Sequence, residues 1–442
     1  MNWWPPALSL RKLRNRYSIG AAMALSMQIT GAALSFVVSL LLAKLVGPTG
    51  LGLYFLGVTS VEIFSTVARL GLDTAALKFI SIANNGAEHG IVATIYRKCV
   101  GIAALCAIAM IGPAWPILNW APIGASHHAE FAVLVPVLMV ALIPVAVLSV
   151  QTEAFKAIGR PGTAVFTQAV LPQLLLLLVV SGLALNGTVT LSSILAYYAG
   201  AFLVAMLLAF VRWRMIVRDA WRKASFSTAI LLRTSLPILI VTSLNLVMAW
   251  TDTLVLGILS SADQVGIYGV ALRISATTSF VLIAVNSVVA PQFAALHSSG
   301  KHAELETLAR RSTFWTLAIA SPLIVLFLVF PTEILRVFGP QFEGGAWPLR
   351  LLTLAQLVNV STGLLTSLLI MTGHEKLMRN NLILSATVNL VGNLLLVPVL
   401  GALGAAISTA TSMTVLKVVS WWIARRKLHI NTVNYLNFKS PR

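Results

Sequence analysis

Glu62, Arg69 and Asp73 stand at i, i+7 and i+11 in an otherwise apolar stretch, a spacing that puts all three on one face of a helix. Arg69 and Asp73 are also an i,i+4 pair. Farther along, Asp252 and Arg273 flank the turn Ser260–Val265 at comparable depth, and Lys417 lies in the last apolar run, two turns before Arg425. A charged side chain in the middle of a membrane span costs at least ~2.5–3.5 kcal/mol on insertion scales, so each of these residues needs a reason to be there. One reason is mutual neutralisation, of Arg69 by Asp73 and of Asp252 by Arg273. The other is a polar cavity in which Arg273 binds an anion. Lys78 lies near the inner end of its span, where it snorkels to the headgroups, and Lys44 sits near the outer rim.

No other chemistry is written in the chain. HExxH, Walker, CxxC and EF-hand patterns are all missing, so no catalytic residue, metal site or cofactor is expected. The vicinal pair His127-His128 falls in the longest outer loop and reads as solvated. Cys99 and Cys106, seven apart on one helical face, read as small apolar fillers rather than a disulfide.

The elements that carry the charges are membrane spans. The 442 residues are 58% hydrophobic and only 10% charged, against about 25% charged in soluble globular proteins. Apolar runs of about 20 residues, enough to cross ~30 Å of hydrocarbon, recur from Tyr17 to Ile423. Twelve helices are expected, near 17–45, 51–82, 97–118, 130–156, 162–185 and 191–212, then 232–259, 265–296, 311–337, 345–372, 380–399 and 403–424. Arg11, Lys12, Arg14 and Arg16 before the first run imitate a signal peptide, but the run reads as a retained anchor.

The net charge of +18 invites a nucleic-acid reading, which the placement of the charges removes. Most of the 31 basic residues fall on one side: in the N-terminal segment, at Arg97, Lys98, Lys156 and Arg160, in the stretch Arg212–Arg233, at Lys301, Arg310, Arg311, Lys376 and Arg379, and in the tail from Arg425. By the positive-inside rule these segments and both termini are cytoplasmic.

The two halves repeat. Gly50-Leu-Gly-Leu-Tyr54 returns at an offset of 214 residues as Gln264-Val-Gly-Ile-Tyr268, and the register also pairs Arg97 with Arg311, Thr152 with Thr366, Gly159 with Gly373, Gly187 with Gly401 and Arg212 with Arg426. Six spans per copy is even, so both copies enter from the same side: two parallel six-helix repeats in an all-α integral membrane fold. The expected organisation is a cytoplasmic segment 1–16, an N-lobe 17–212, a linker 213–231 whose Trp213 and Trp221 lie at an interface, a C-lobe 232–424 and a tail 425–442. Arg273 aligns with Thr59, Asp252 with Val38 and Arg69 with Ile283, so the frame repeats and the charges do not.

Leu45-Val-Gly-Pro-Thr-Gly-Leu-Gly-Leu-Tyr54, followed by Ala68-Arg-Leu-Gly-Leu-Asp73 and Lys78, resembles the N-terminal signature of the O-antigen-type polysaccharide flippases. These belong to the multidrug/oligosaccharidyl-lipid/polysaccharide (MOP) exporter superfamily. Asp252-Thr-Leu-Val-Leu-Gly257, Val265-Gly-Ile-Tyr-Gly-Val-Ala-Leu-Arg273, Ala290-Pro-Gln-Phe293 and Met371-Thr-Gly-His374 are similar to its later landmarks, and the resemblance spans residues 15–430. It implies MATE-like, V-shaped lobes around a central cavity, and a polyprenyl-pyrophosphate-linked oligosaccharide flipped from the cytoplasmic to the outer leaflet. The expected setting is a bacterial inner membrane, with a monomer surrounded by lipid and accompanied by polysaccharide-assembly proteins, and without nucleic acid. Arginine suits the bidentate grip on pyrophosphate. On this reading Arg273, Arg69, Asp252 and Lys417 bind substrate. Asp73 and Glu62 are candidates for H+ or Na+ coupling, with Asp252 a further carrier. An ion-coupled multidrug antiporter and a membrane glycan polymerase or ligase are the competing functions; the cationic Arg69 and Arg273 disfavour the first and the short outer loops the second.

Overall fold

The computed structural model describes the backbone of residues 7–86, 88–120, 128–186, 190–217, 224–428 and 430, and the side chains of these except 7–22, 85, 118–120, 128–133, 186 and 240–248. His127, Arg218, Trp221, Arg222, Lys223, His429, Lys439 and Arg442 lie outside the described residues, as do the side chains of Arg11, Lys12, Arg14, Arg16 and His128.

Among the described residues every regular element is helical. The order is α1 (Ala7–Arg69), α2 (Leu72–Asn85), α3 (His89–Trp120), α4 (His128–Ala157), α5 (Pro161–Val165), a π-turn, α6 (Leu171–Asn186), α7 (Leu191–Ile216) and α8 (Thr228–Leu259). It continues with α9 (Ala262–Ala276), α10 (Ser279–Ser298), α11 (His302–Val329), α12 (Pro331–Arg336), a 3-10 turn, α13 (Ala346–Thr362), α14 (Leu365–Met371), α15 (Glu375–Leu400) and α16 (Ala402–Lys427). Among the described residues nine helices are long and apolar enough to cross a membrane, or ten if the pair on either side of a 42° bend at Gly363 is one span. Thr228–Leu239 and Ala249–Leu259 are shorter apolar helices within another expected span. The protein is a multi-pass membrane protein.

Several expected spans are broken. The run expected over 51–82 stops at Leu70 and Gly71, whose φ of 51° and 71° are left-handed. Glycine takes that conformation without strain, and Gly71 also lies so close to α8 that a Cβ there would be 2.4 Å from the Ser235 carbonyl oxygen. The first two expected spans join instead into one helical run kinked at Gly47, where φ is 67°. The run expected over 265–296 divides between Ala276 and Ser279.

The chain forms two compact units. Of the described residues, the first takes in those up to Val46 and those from Leu56 to Leu246, the second Gly47–Phe55 and those from Val247 onward. In the first, α4 is apolar all round and is accordingly the buried central helix, packed by α2, α3 and α7. Ala68 of α1, Ala107 of α3 and Leu142 and Ala146 of α4 form one buried apolar cluster, in which the small alanines suit close helix packing. Trp213 is not an interfacial linker residue: α7 continues through it, it is 1% exposed, and it stacks on Tyr96 at 4.2 Å with Phe155 edge-on. An indole gains more from that aromatic packing than from a place in a loop. Lys98 donates to the Phe226 carbonyl oxygen at 2.7 Å and to Thr228 Oγ1 at 2.9 Å, which ties the start of α8 to α3.

The repeat is visible in hydrogen bonds. The amide of Gly159 donates to the Lys156 carbonyl and that of Arg160 to the Phe155 carbonyl. At the matching offset Gly373 donates to Ile370 and His374 to Leu369. Both glycines have positive φ, 73° and 80°, so the same cap ends α4 and α14. Within the second unit two repeat mates meet. A Cβ on Gly52 would lie 1.7 Å from the Ala262 carbonyl oxygen, and one on Gly266 would lie 2.1 Å from that of Pro48. Pro48 and Ala262 are themselves repeat mates, so the crossing is reciprocal and backbone-to-backbone.

Candidate functional site

In the first unit the charges end a helix. Arg69 is the last residue of α1, and its guanidinium reaches back to the Ser65 carbonyl oxygen at 3.2 Å and to Thr66 Oγ1, and forward to Asp73 at 3.5 Å. Asp73 lies in the first turn of α2, where a carboxylate is favoured by the helix dipole, and its Oδ1 accepts from the Thr74 amide at 2.7 Å. The mutual neutralisation of Arg69 and Asp73 is therefore realised. It is not realised on one helical face, because the left-handed residues Leu70 and Gly71 separate the two. Glu62 is part-buried on α1, and its carboxylate accepts no hydrogen bond among the described residues. Lys78 is exposed and lies 5.6 Å from the Phe79 ring centroid, consistent with a snorkelling side chain.

In the second unit Asp252 and Arg273 do not pair. Asp252, on α8 and 6% exposed, is enclosed by four neutral donors. Tyr268 Oη and Thr409 Oγ1 each donate to Oδ2 at 2.6 Å, while Nδ2 of Asn389 and of Asn393 donate to Oδ1 at 3.0 and 2.6 Å. The donors come from α9, α15 and α16, so a charge introduced by one helix is satisfied by three others. Asn393 Oδ1 is buried without a partner beside this cluster. A buried carboxylate among hydroxyls and carboxamides is a candidate site for a proton or a hard cation, taken up when those groups turn from donating to Asp252.

Arg273 is treated differently. It sits in the last turn of α9, where a cation complements the helix dipole. Its guanidinium carbon lies 3.6 Å from the centroid of the Phe55 ring, and Nη1 donates to the Gly269 carbonyl oxygen at 3.2 Å. A guanidinium has five N–H donors. Among the described residues Arg273 has no carboxylate partner, and the contact with the ring consumes no N–H. Lys417, on α16, is 6% exposed and forms no ion pair among the described residues.

Thr409, Asn389 and Asn393 are site residues that the sequence reading does not single out, and Tyr268 enters it as an anchor of the repeat rather than as a site residue. A signal existed: Asn381, Ser385, Asn389 and Asn393 recur every four residues, a polar stripe along the apolar α15. Phe55 and Gly269 carry no such signal, because each is an ordinary residue of a membrane helix.

Comparison with known proteins bears on the fold and the family. An inward-facing multidrug resistance MATE family transporter of the MOP superfamily superposes with a TM-score of 0.73 at 15% identity, over 92% of this chain and 98% of that one. The lipid II flippase MurJ in an inward closed conformation gives 0.71 at 12% identity, over 92% and 87%. At these identities the likeness concerns the fold. Haloferax volcanii has two relatives in sequence. The probable low-salt glycan biosynthesis flippase Agl15 is 30% identical over 171 residues, 38% of this chain and 36% of that protein. The probable flippase AglR is 28% identical over 170 residues, with the same shares. The matched stretch thus spans about a third of each relative's length. The MatE family profile matches residues 237–395. The polysaccharide biosynthesis protein profile runs over residues 19–297, through the Gly52–Gly266 crossing, Asp252 and Arg273. With more than half of its length matched, the chain belongs to the polysaccharide biosynthesis protein family.

Proposed function

We propose that this chain is a transporter, not an enzyme, that flips a polyprenyl-pyrophosphate-linked oligosaccharide from the cytoplasmic to the outer leaflet. The observation that carries this reading is Arg273: a guanidinium placed in an apolar helix, with no acidic partner among the described residues and most of its N–H donors unspent. A pyrophosphate is the kind of group that uses them, in the bidentate geometry arginine favours. Membership of a polysaccharide biosynthesis family and similarity to a probable low-salt glycan biosynthesis flippase and to a probable flippase support the same substrate class. Lys417 supplies a second buried cation in the same unit as Arg273, and Arg69 in the first unit is a separate substrate-binding candidate, freed when its contact with Asp73 opens.

On this proposal the N-lobe and C-lobe move about the connection between α7 and α8 and expose the site to each leaflet in turn. Asp252 serves ion coupling more than substrate binding, because its oxygens are already surrounded by donors. Asp73 and Glu62 are secondary candidates for that role. The protein works as a monomer in a bacterial inner membrane, with both termini in the cytoplasm, alongside the proteins that assemble the polysaccharide.

A second reading, an ion-coupled multidrug antiporter, draws on the MatE match over residues 237–395 and the likeness to a MATE transporter. Arg273 separates the two, since a cationic drug gains nothing from a guanidinium. Arg273→Ala should abolish glycan export in a complementation assay at unchanged membrane levels, and Arg273→Lys should retain part of it. Normal export by Arg273→Ala would remove the residue from the substrate site.

A further inference from the structure

Two successive turns of one helix crossing in the second unit obey different rules. At Pro48 and Gly52 against Ala262 and Gly266, repeat mates meet reciprocally. One turn further on, the repeat mates are Phe55 and Gly269, and the symmetry ends: one copy supplies a ring and the other supplies no side chain. A Cβ on Gly269 would lie 2.4 Å from Phe55 Cδ2 and 2.5 Å from Cε2, so the ring fills the space that glycine leaves. Phe55 is 3% exposed and has no freedom to swing away. Four residues after Gly269, on the same face of α9, Arg273 lies against that ring and donates to the Gly269 carbonyl oxygen.

We infer that Phe55 and Gly269 are positioning residues that hold the Arg273 guanidinium ready for a diphosphate anion. This rests on the flippase reading and adds to it how the anion site is built. An arginine left to swing would lose that freedom when the ligand binds, and the lost freedom would weaken binding. The ring holds the cation through its π-face and the main-chain oxygen takes one N–H. Neither partner carries a formal charge, so the full positive charge and the other N–H bonds in the guanidinium plane are kept for the ligand. A carboxylate in place of Phe55 would fix the arginine equally well and cancel it. Gly269 is needed because any side chain there would displace the ring, and with it the arginine.

The test is binding to the purified full-length chain in detergent, with undecaprenyl pyrophosphate and inorganic pyrophosphate as separate probes. Arg273→Ala should weaken both by about 100-fold, as expected for a charge-assisted bidentate contact. Phe55→Leu, which keeps apolar volume and loses the π-face, should weaken both by about tenfold. The double variant Arg273→Ala/Phe55→Leu should bind no more weakly than Arg273→Ala alone, since Phe55 acts only through the arginine. If Phe55→Leu lowers thermal stability, Phe55→Met takes its place in the same cycle. Additive losses, or a Phe55→Leu effect confined to the lipid probe, would overturn the positioning role and leave the flippase reading standing. Unchanged binding of both probes by Arg273→Ala would instead remove the reading on which it rests.

Discussion

Asp252 and Arg273 are both charges that a membrane helix should not carry, and the second unit handles them in opposite ways. Asp252 receives four hydrogen bonds from three other helices, so the resting protein already provides what an ionised carboxylate requires. Arg273 receives a ring face and gives up one N–H. A buried carboxylate held by four neutral donors must give some of them up to take a proton or small cation, so exchange there is tied to a rearrangement of the surrounding helices. A cation held by a surface that does not neutralise it has work left for a ligand. Under the proposed function, the anion goes to Arg273 and the coupling ion to Asp252.

Asp252→Asn is the sharpest way to break that division. In proteoliposomes it should remove stimulation of transport by an imposed Na+ or H+ gradient, a loss of about tenfold or more, while diphosphate affinity stays within about twofold because the anion site is elsewhere. Loss of diphosphate binding in this variant would merge the two sites. Tyr268→Phe deletes one of the four donors and should act in the same direction but less, lowering stability by about 1.5–3 kcal/mol, the range for a hydrogen bond to a charged group. Thermal unfolding in detergent, with the gradient response read alongside, checks it. Lys417→Met should have the smallest effect: an affinity for lipid-linked diphosphate lowered about threefold by loss of one flexible point charge, with no change in the gradient response.

The parts of this architecture that could be read in the sequence are those the membrane penalises. Glycines at backbone crossings and at helix caps cannot drift, so Gly52, Gly266, Gly159 and Gly373 preserve the register of the repeat. Charges cannot sit in lipid without cause, so Asp252, Arg273 and Lys417 stand out from their neighbours. What could not be read depends on contacts between distant segments. The donors to Asp252 from α15 and α16 lie 137 to 157 residues away. The division of α9 from α10 and the break at Gly71 interrupt apolar runs that look continuous, and at Gly71 the cause is the close approach of Ser235. Trp213 looked interfacial by composition, yet Tyr96 and Phe155 provide a buried aromatic site that only the tertiary fold reveals.

The central claim is that Arg273 serves the passage of a lipid-linked diphosphate. The most direct measurement is flipping of a fluorescent oligosaccharide-pyrophosphate-polyprenol in liposomes containing the purified chain, followed by a membrane-impermeant quencher added outside. Wild-type protein should move the probe to the quenched leaflet well above protein-free vesicles, and Arg273→Ala, reconstituted at equal density, should fall to the protein-free rate. Equal rates for wild-type and Arg273→Ala would contradict it.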